Sequence, residues 1–260
     1  MKIRFLGVGE ACDERQPNTS ILLETENFKG ETITVLMDCG FSVPFQFWKY
    51  VSDQEKLDAV WISHFHGDHF FGTPLLLLRL WEMKRQKPLT IIGQKGIGSI
   101  IEKALDLAYP GFKTRFTFEL SFEEVREDDE YCFFDITWRF APTEHGQKNL
   151  SVAISAPEGK IFYSGDGKPT EETERIAEKS LLIIHEAFHI EPSVPGHGTV
   201  GGVLEMAERA KAYSVACVHI QRDVRTHHED KIRQMLSERR GTLTRTFLPE
   251  SGEVLEIGKK

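Results

Sequence analysis

The sequence predicts an α/β protein in which two β-sheets pack face to face between helices. In each half of the chain, apolar runs of strand length come first and segments with helical spacing follow. Strands and helices in this order are typical of sheets whose faces are covered by helices. With 260 residues and 40% hydrophobic composition, the chain can bury one large core, and no linker divides it. We therefore expect a single domain over residues 1–260.

Turn residues and the spacing of apolar residues predict the individual strands and helices. Strands are bounded by Gly, Pro, Asn and Asp, and helices stop at Pro or Gly. The predicted strands of the first half are 2–6, 19–24, 32–37, 57–62 and 89–92, and its helices are 73–85 and 95–108. The second half has predicted strands at 114–120, 131–140, 150–156, 160–163, 181–184 and 214–220, and helices at 168–179 and 199–212. An acidic turn beginning at Glu123 is expected to join the strands 114–120 and 131–140.

Composition and charge limit the cellular compartment and the binding partners that we expect for this protein. The formal net charge of −8 argues against broad, sequence-independent binding of nucleic acid, which needs a basic face. The four cysteines form no Cys-x-x-Cys pair, which is typical of reduced thiols rather than a disulfide framework. The N-terminal apolar run is too short for a signal peptide, and the run 70–80 is too short to cross a membrane. We therefore expect a cytoplasmic protein with no membrane partner.

Four candidate metal ligands lie within six positions, directly after the apolar strand 57–62. They are His64, His66, Asp68 and His69. Imidazole and carboxylate together suit zinc, manganese or iron. These residues lie in the loop after a strand and not on one face of a helix. Their side chains can therefore point at two neighbouring ions. A chance cluster, a surface loop or an expression tag is the alternative. Two ions would need further ligands from the ends of other strands.

Further candidates follow the ends of later strands. His145, Asp166 and His219 each lie at or just past the end of an apolar strand, where open sheets usually carry their binding and catalytic residues. Asp38 follows the strand 32–37, and it would either hydrogen-bond a ligand histidine or begin a turn. The segment 41–50 is rich in aromatic residues and is expected to form a short helix on the core. For Phe47 and Trp48, the alternative interpretation is that they form a wall of the substrate pocket or a dimer contact.

The ordered set His64-x-His66-x-Asp68-His69, His145, Asp166 and His219 resembles the metallo-β-lactamase superfamily over nearly the whole chain. That resemblance implies a four-layer αββα sandwich. It also implies that His64, His66 and His145 hold one ion, that Asp68, His69 and His219 hold a second, and that Asp166 bridges the two. Zinc is the default, with manganese or iron as alternatives. Histidine at position 66, where the oxygen-reducing diiron branch has Glu, favours hydrolysis.

Within that superfamily, three segments resemble ribonuclease Z and related phosphodiesterases. They are Asp38-Cys39-Gly40, Tyr163-Ser164-Gly165-Asp166, and His185-Glu186-Ala187-Phe188 followed by His197-Gly198-Thr199. The resemblance implies that a water acidified by both ions is the nucleophile and that Asp68 orients it or accepts its proton. His197, held by Glu186, would be the acid for the leaving oxygen, and an ordinary loop histidine is the alternative.

The expected function is therefore a dinuclear metal-dependent phosphodiesterase acting on a nucleotide, a cyclic nucleotide or an RNA 3′ end. The alternatives are a hydrolase of a thioester, lactone or other ester, and a non-catalytic binder of metal or nucleotide. Ribonuclease Z carries a long arm that grips tRNA between the positions of His145 and Asp166, and here that segment is short. The missing arm argues against tRNA as the substrate. The resemblance also implies a homodimer, with residues 41–50 as its contact.

Overall fold

The computed structural model describes residues 1–127, 129–192, 194–238 and 243–258. In this part of the chain, two mixed sheets of seven strands pack face to face, and helices cover both outer faces. The predicted four-layer αββα sandwich is confirmed. Among the described residues, no helix has both the length and the apolar character needed to cross a membrane.

The first sheet has the strand order β14-β1-β2-β3-β4-β5-β6. Neighbouring strands are antiparallel from β14 to β3 and parallel from β3 to β6. These strands are β1 Lys2–Gly7, β2 Ser20–Glu26, β3 Thr32–Met37, β4 Leu57–Ile62, β5 Leu89–Gln94, β6 Leu120–Val125 and β14 Val254–Glu256.

The second sheet has the order β13-β12-β11-β10-β9-β8-β7 and repeats the same plan. Its pairs are antiparallel from β7 to β10 and parallel from β10 to β13. The strands are β7 Glu130–Phe133, β8 Ile136–Pro142, β9 Leu150–Ala156, β10 Gly159–Tyr163, β11 Leu182–Glu186, β12 Ser214–Val218 and β13 Arg245–Phe247. Parallel strands with a common direction bring their carboxyl ends to one edge of each sheet.

Helices complete the outer layers. The first sheet is covered by α1, α3 and α4, and the second by α5, α6 and α7, while α2 is a single turn in the loop after β4. The helices are α1 Val43–Tyr50, α2 Gly67–Phe70, α3 Thr73–Glu82, α4 Ile97–Ala108, α5 Glu171–Ala177, α6 Val200–Arg209 and α7 Arg222–Glu238. Between the sheets lies a separate apolar core, in which Trp61 stacks on Phe140 with ring centroids 4.8 Å apart.

The structure corrects the sequence prediction between α4 and β9. No strand occupies 114–119; Phe112–Arg115 is a 3-10 turn, and the strand β6 starts at Leu120. Of the aromatic residues that suggested a strand, Phe116 stacks on Phe118 at 5.0 Å and lies 6.0 Å from Phe112, whose ring is edge-on to Trp81. The predicted strand 131–140 is a hairpin of β7 and β8, because Phe134 and Asp135 both have φ of 56° and reverse the chain.

The acidic turn predicted at Glu123 is also wrong, because Glu123 and Glu124 lie in the edge strand β6. The aromatic segment 41–50 does form a helix, and Phe47 is fully buried in the core, as expected for that helix. Phe41 and Phe45 are instead 50% and 61% exposed, so the core interpretation is wrong for them.

Arg85 fixes the entry to the strands of the first sheet. Its buried guanidinium donates to the backbone carbonyls of Gln54, Leu57, Lys87 and Pro88. These carbonyls belong to the segments that lead into β4 and β5. One side chain therefore satisfies four backbone acceptors, and its hydrogen bonds to Gln54 and Leu57 are buried.

We expect Arg85→Met to lower the free energy of unfolding by about 2–4 kcal/mol, because it leaves several buried carbonyls without a donor. Urea denaturation followed by circular dichroism measures the change. Arg209→Met is the matched control, since Arg209 is 56% exposed and forms a surface ion pair with Glu174. The control should change stability by under about 1 kcal/mol. Equal losses in the two variants would contradict a structural role for Arg85.

Candidate metal centre

The loop after β4 carries four of the predicted ligands and is held by close packing. β4 is buried along its whole length, so its carboxyl end delivers His64 to the interior. His66 lies at the N-cap of α2, whose single turn contains Asp68 and His69. A Cβ atom at Gly40 would lie 1.9 Å from the carbonyl oxygen of Asp68. Only glycine at position 40 therefore lets this turn pack against the end of β3.

The remaining predicted ligands come from the second sheet. His145 follows β8, Asp166 follows β10 and His219 follows β12. His219 takes the left-handed backbone conformation, with φ of 53°, and its backbone N–H donates to the carbonyl of Val8 at 2.9 Å. A non-glycine residue held in this conformation is typical of a functional site.

The structure brings all seven side chains into two adjacent groups that share one residue. The first group contains His64, His66, His145 and Asp166, and the second contains Asp68, His69, Asp166 and His219. Within each group, one donor atom from every residue lies within 4.8 Å of the others. The sequence prediction of two ligand sets therefore corresponds to two real clusters of donor atoms.

In the first group the imidazole nitrogens converge on one point. His66 Nδ1 lies 3.0 Å from His64 Nε2 and 3.2 Å from His145 Nε2. Asp166 Oδ2 lies 3.8 Å from His64 Nε2 and 4.0 Å from His145 Nε2. His145 is oriented by its other nitrogen, Nδ1, which lies 2.7 Å from the carbonyl oxygen of Gly196.

In the second group the other oxygen of Asp166 takes part. Asp166 Oδ1 lies 3.4 Å from His69 Nε2 and 3.5 Å from His219 Nε2. Asp68 Oδ2 lies 3.2 Å and 3.3 Å from the same two nitrogens. The two oxygens of Asp166 therefore face different groups, which is the arrangement that a bridging carboxylate needs.

These separations fit tetrahedral coordination. Zinc bonds of 2.0–2.1 Å to nitrogen and oxygen place neighbouring ligands about 3.3 Å apart. Within the described residues, the buried atoms His69 Nε2 and Asp166 Oδ1 also have no hydrogen-bond partner. Buried polar atoms without partners are costly, and a divalent cation at this position would satisfy both. The donor set therefore fits divalent metal ions.

The electrostatics of the two groups differ. Burial, reinforced by His69, lowers the pKa of His64 well below its ordinary value, so this imidazole is neutral as a ligand must be. Burial would raise the pKa of Asp68, but the neighbouring imidazoles of His219 and His69 lower it below its ordinary value. Burial alone would lower the pKa of His219, but the carboxylates of Asp166 and Asp68 together outweigh it and raise that pKa to about 9. The second group therefore attracts positive charge.

Asp38 occupies the position next to the ligands that the sequence left open. Its Oδ2 accepts a hydrogen bond from His69 Nδ1 at 2.8 Å, and both side chains are fully buried. It therefore contacts a predicted ligand and is not only a turn residue. The same contact directs His69 Nε2 towards the donor cluster.

The predicted pair His197 and Glu186 lies beside the clusters. Backbone N–H groups of Gly167, Phe188 and Gly198 donate to the buried Glu186 carboxylate, each at 2.9 Å. His197 Nδ1 lies 3.3 Å from Glu186 Oε1, which is ion-pair range although the angle is not that of a hydrogen bond. The His197 ring stacks on Phe188 at 4.4 Å and lies 5.1 Å from the His145 ring.

Sequence reasoning missed the side chains that orient this edge. Asn149 Oδ1 accepts the N–H of Asp166 at 3.1 Å, and Gln147 Oε1 accepts the N–H of Phe65 at 2.8 Å. Ser63 and Tyr163 both contact the Asp38 carboxylate. The one available signal was a hydroxyl group at the carboxyl end of an otherwise apolar strand, which both Ser63 and Tyr163 provide.

Comparison with known proteins agrees with this geometry. The chain is 27% identical to the ribonuclease Z of Thermococcus kodakarensis, in an alignment that covers 98% of this chain and 94% of the relative. Its structure matches the short form of human tRNase Z with a TM-score of 0.78 at 22% identity, covering the whole of both chains. It matches the metallo-β-lactamase fold protein YhfI of Bacillus subtilis with a TM-score of 0.76 at 20% identity, covering 98% of each.

The fold and the ribonuclease Z-like branch predicted from the sequence are therefore confirmed. A more specific assignment comes from a family model described as anti-Pycsar protein Apyc1, which matches residues 1–242. Because this match takes in nearly the whole chain and every residue of the two donor groups, the protein belongs to the anti-Pycsar protein Apyc1 family.

Proposed function

We propose that this protein hydrolyses phosphodiester bonds of small nucleotides, with cyclic nucleotides as its substrate class, and that it uses two divalent metal ions. The chain is a metal-dependent hydrolase of the ribonuclease Z type. The observation that carries the dinuclear proposal is the sharing of Asp166, whose two oxygens face separate donor groups. In the proposal, His64, His66 and His145 hold one ion, and Asp68, His69 and His219 hold the other.

Zinc is the proposed metal, with manganese or iron as alternatives, because nitrogen donors dominate both groups. Two bound ions would supply Lewis acidity for a phosphodiester and a water that ionises near neutral pH. The chain's own residues would then have two tasks, which are to orient that water and to protonate the leaving oxygen.

The proposed proton donor is His197. Its ring is held between the Phe188 face and the Glu186 carboxylate, and its side chain keeps 22% of its surface exposed. It can therefore meet substrate beside the clusters, and the nearby carboxylate holds its position. Asp68 belongs to the second group, where it can orient water and accept its proton.

The substrate class follows from what connects His145 to Asp166. Every residue of this segment is described, and it consists mainly of β9 and β10, which pair up to Ala156 and Gly159. The turn between them contains only Pro157 and Glu158, so the hairpin projects no arm. Without an arm or a net positive charge, the protein lacks the usual means of gripping a large RNA. The 3′ end of an RNA is the second candidate, favoured by the likeness to ribonuclease Z.

We expect protein loaded with zinc or manganese to hydrolyse cyclic nucleotides with a kcat/KM at least about 100-fold above that for a precursor tRNA, since a large RNA gains little extra binding energy here. Initial rates on a panel with bis(p-nitrophenyl) phosphate, cyclic nucleotides and precursor tRNA measure this. Chelator treatment should abolish turnover, and two equivalents of metal should restore it. Metal-loaded protein that leaves every phosphodiester intact would refute the proposal.

His197→Ala should lower kcat by about 10²–10⁴-fold without changing the bound metal, because it removes a proton donor that lies outside the donor groups. Elemental analysis and steady-state kinetics measure the two quantities. His227→Ala is the matched control, since His227 lies on α7 with its Nδ1 near the carbonyl of Asp223. Loss of metal in His197→Ala would reject the assignment. Ester or thioester hydrolysis that survives it would favour a different substrate class.

We also propose a homodimer through an aromatic face formed by Phe41, Phe45 and Phe71. These side chains are 50%, 61% and 57% exposed. Phe41 and Phe71 are neighbours in space, because a Cβ at Gly72 would lie 2.1 Å from the carbonyl oxygen of Gly40. Three exposed phenylalanines in one region are typical of a contact surface, and a second copy would bury them symmetrically.

Phe45→Glu should therefore convert the dimer to a monomer, because it places a charge in an apolar contact. Sedimentation velocity at micromolar concentration measures the mass. Phe28→Glu is the control, since Phe28 is 66% exposed but lies in the turn between β2 and β3. A wild-type protein that sediments as a monomer would exclude the dimer.

A further inference from the structure

Asp38 is the acceptor for four hydrogen bonds in the interior between the sheets. Its Oδ1 accepts from the Ser63 N–H at 2.8 Å. Its Oδ2 accepts from Ser63 Oγ at 2.8 Å, from His69 Nδ1 at 2.8 Å and from the Tyr163 hydroxyl at 2.6 Å. All four residues are fully buried, so water does not replace any of these donors.

The network reaches the first donor group through Ser63. The Ser63 hydroxyl has one hydrogen, and the ionised carboxylate of Asp38 can only accept, so that hydrogen points to Asp38. Ser63 Oγ also lies 3.0 Å from His64 Nδ1, and it must therefore accept the Nδ1–H of His64. His64 and His69 are thus both held as the Nδ1–H tautomer, and each presents Nε2 to its own donor group.

Tyr163 connects this network to the opposite sheet. Asp38 follows β3 of the first sheet, whereas Tyr163 ends β10 of the second. Burial and the Asp38 carboxylate raise the pKa of Tyr163 well above its ordinary value, so its hydroxyl stays protonated and donates. Tyr163 also leads directly into the loop that carries Asp166. The hydrogen bond from Tyr163 to Asp38 therefore joins the two sheets at the base of both donor groups.

We propose that Tyr163 and Ser63 are positioning residues that act through Asp38 to hold both donor groups at once, so that the two metal positions are coupled. The inference rests on the proposed dinuclear function. Removing the Tyr163 hydroxyl takes away one of the three donors to Asp38 Oδ2 and lets the carboxylate shift. His69 then loses its orientation directly, and His64 loses it through Ser63. One substitution that touches neither donor group therefore weakens both metal sites.

Tyr163→Phe keeps the ring in the core and removes only the hydroxyl. We expect the affinities for both zinc ions to fall by about tenfold or more, as is usual when a partner of a ligand histidine is lost. Competition with a chromophoric zinc chelator measures both affinities. Long-range ¹H–¹⁵N spectra of His64 and His69 should show mixed tautomers. Tyr131→Phe is the control, because the Tyr131 hydroxyl bonds Asp129 and the Arg126 N–H at the surface.

Zinc affinities of folded Tyr163→Phe within twofold of wild type would overturn the inference, as would weakening confined to one of the two ions. Should Tyr163→Phe fail to fold, Ser63→Ala tests the same inference. The loss of zinc affinity is then expected to be larger for the ion near His64. Wild-type protein that binds neither zinc, manganese nor iron tightly would instead refute the proposed function itself. The two failures are therefore distinguishable by the wild-type titration alone.

Discussion

The shared carboxylate of Asp166 is the interaction on which the arrangement of this edge depends. One oxygen faces three histidines and the other faces Asp68, His69 and His219. This requires the loop after β10, in the second sheet, to meet the loop after β4, in the first. The two sheets must therefore be aligned within a few tenths of an ångström. The stacked Trp61 and Phe140 and the rest of the core between the sheets provide that rigidity.

Much of this could be predicted from sequence, for identifiable reasons. Short, mostly apolar runs such as Leu57–Ile62 are best interpreted as buried strands when turn residues bound them. Their carboxyl ends then place His64, His145, Asp166 and His219 at one edge, because parallel strands share a direction. The division of the ligands into two groups could also be predicted, since the loop ligands follow a strand and do not line one helix face.

Other features were beyond sequence reasoning because they depend on contacts distant in the chain. The residues 114–120 have strand composition, but Phe116 packs on Phe112, which in turn packs on Trp81, and the chain turns there instead. The exposure of Phe45 depends on which side of α1 meets the sheet. Ser63 and Tyr163 gain their roles only because Asp38 lies between them, and Tyr163 is 125 residues from Asp38. No local pattern records such a pairing.

The chemistry and the choice of substrate are carried by different parts of this fold. Each donor side chain lies at a strand end or in the short loop that follows, where the sheets fix its position. The segment between Leu150 and Tyr163 lies behind this edge and can be a bare hairpin or the base of a long arm without moving His145 or Asp166. Shortening it would leave the donor groups intact while removing a grip on a large RNA. The turn between β9 and β10 can therefore differ in length while all the donor atoms keep their positions.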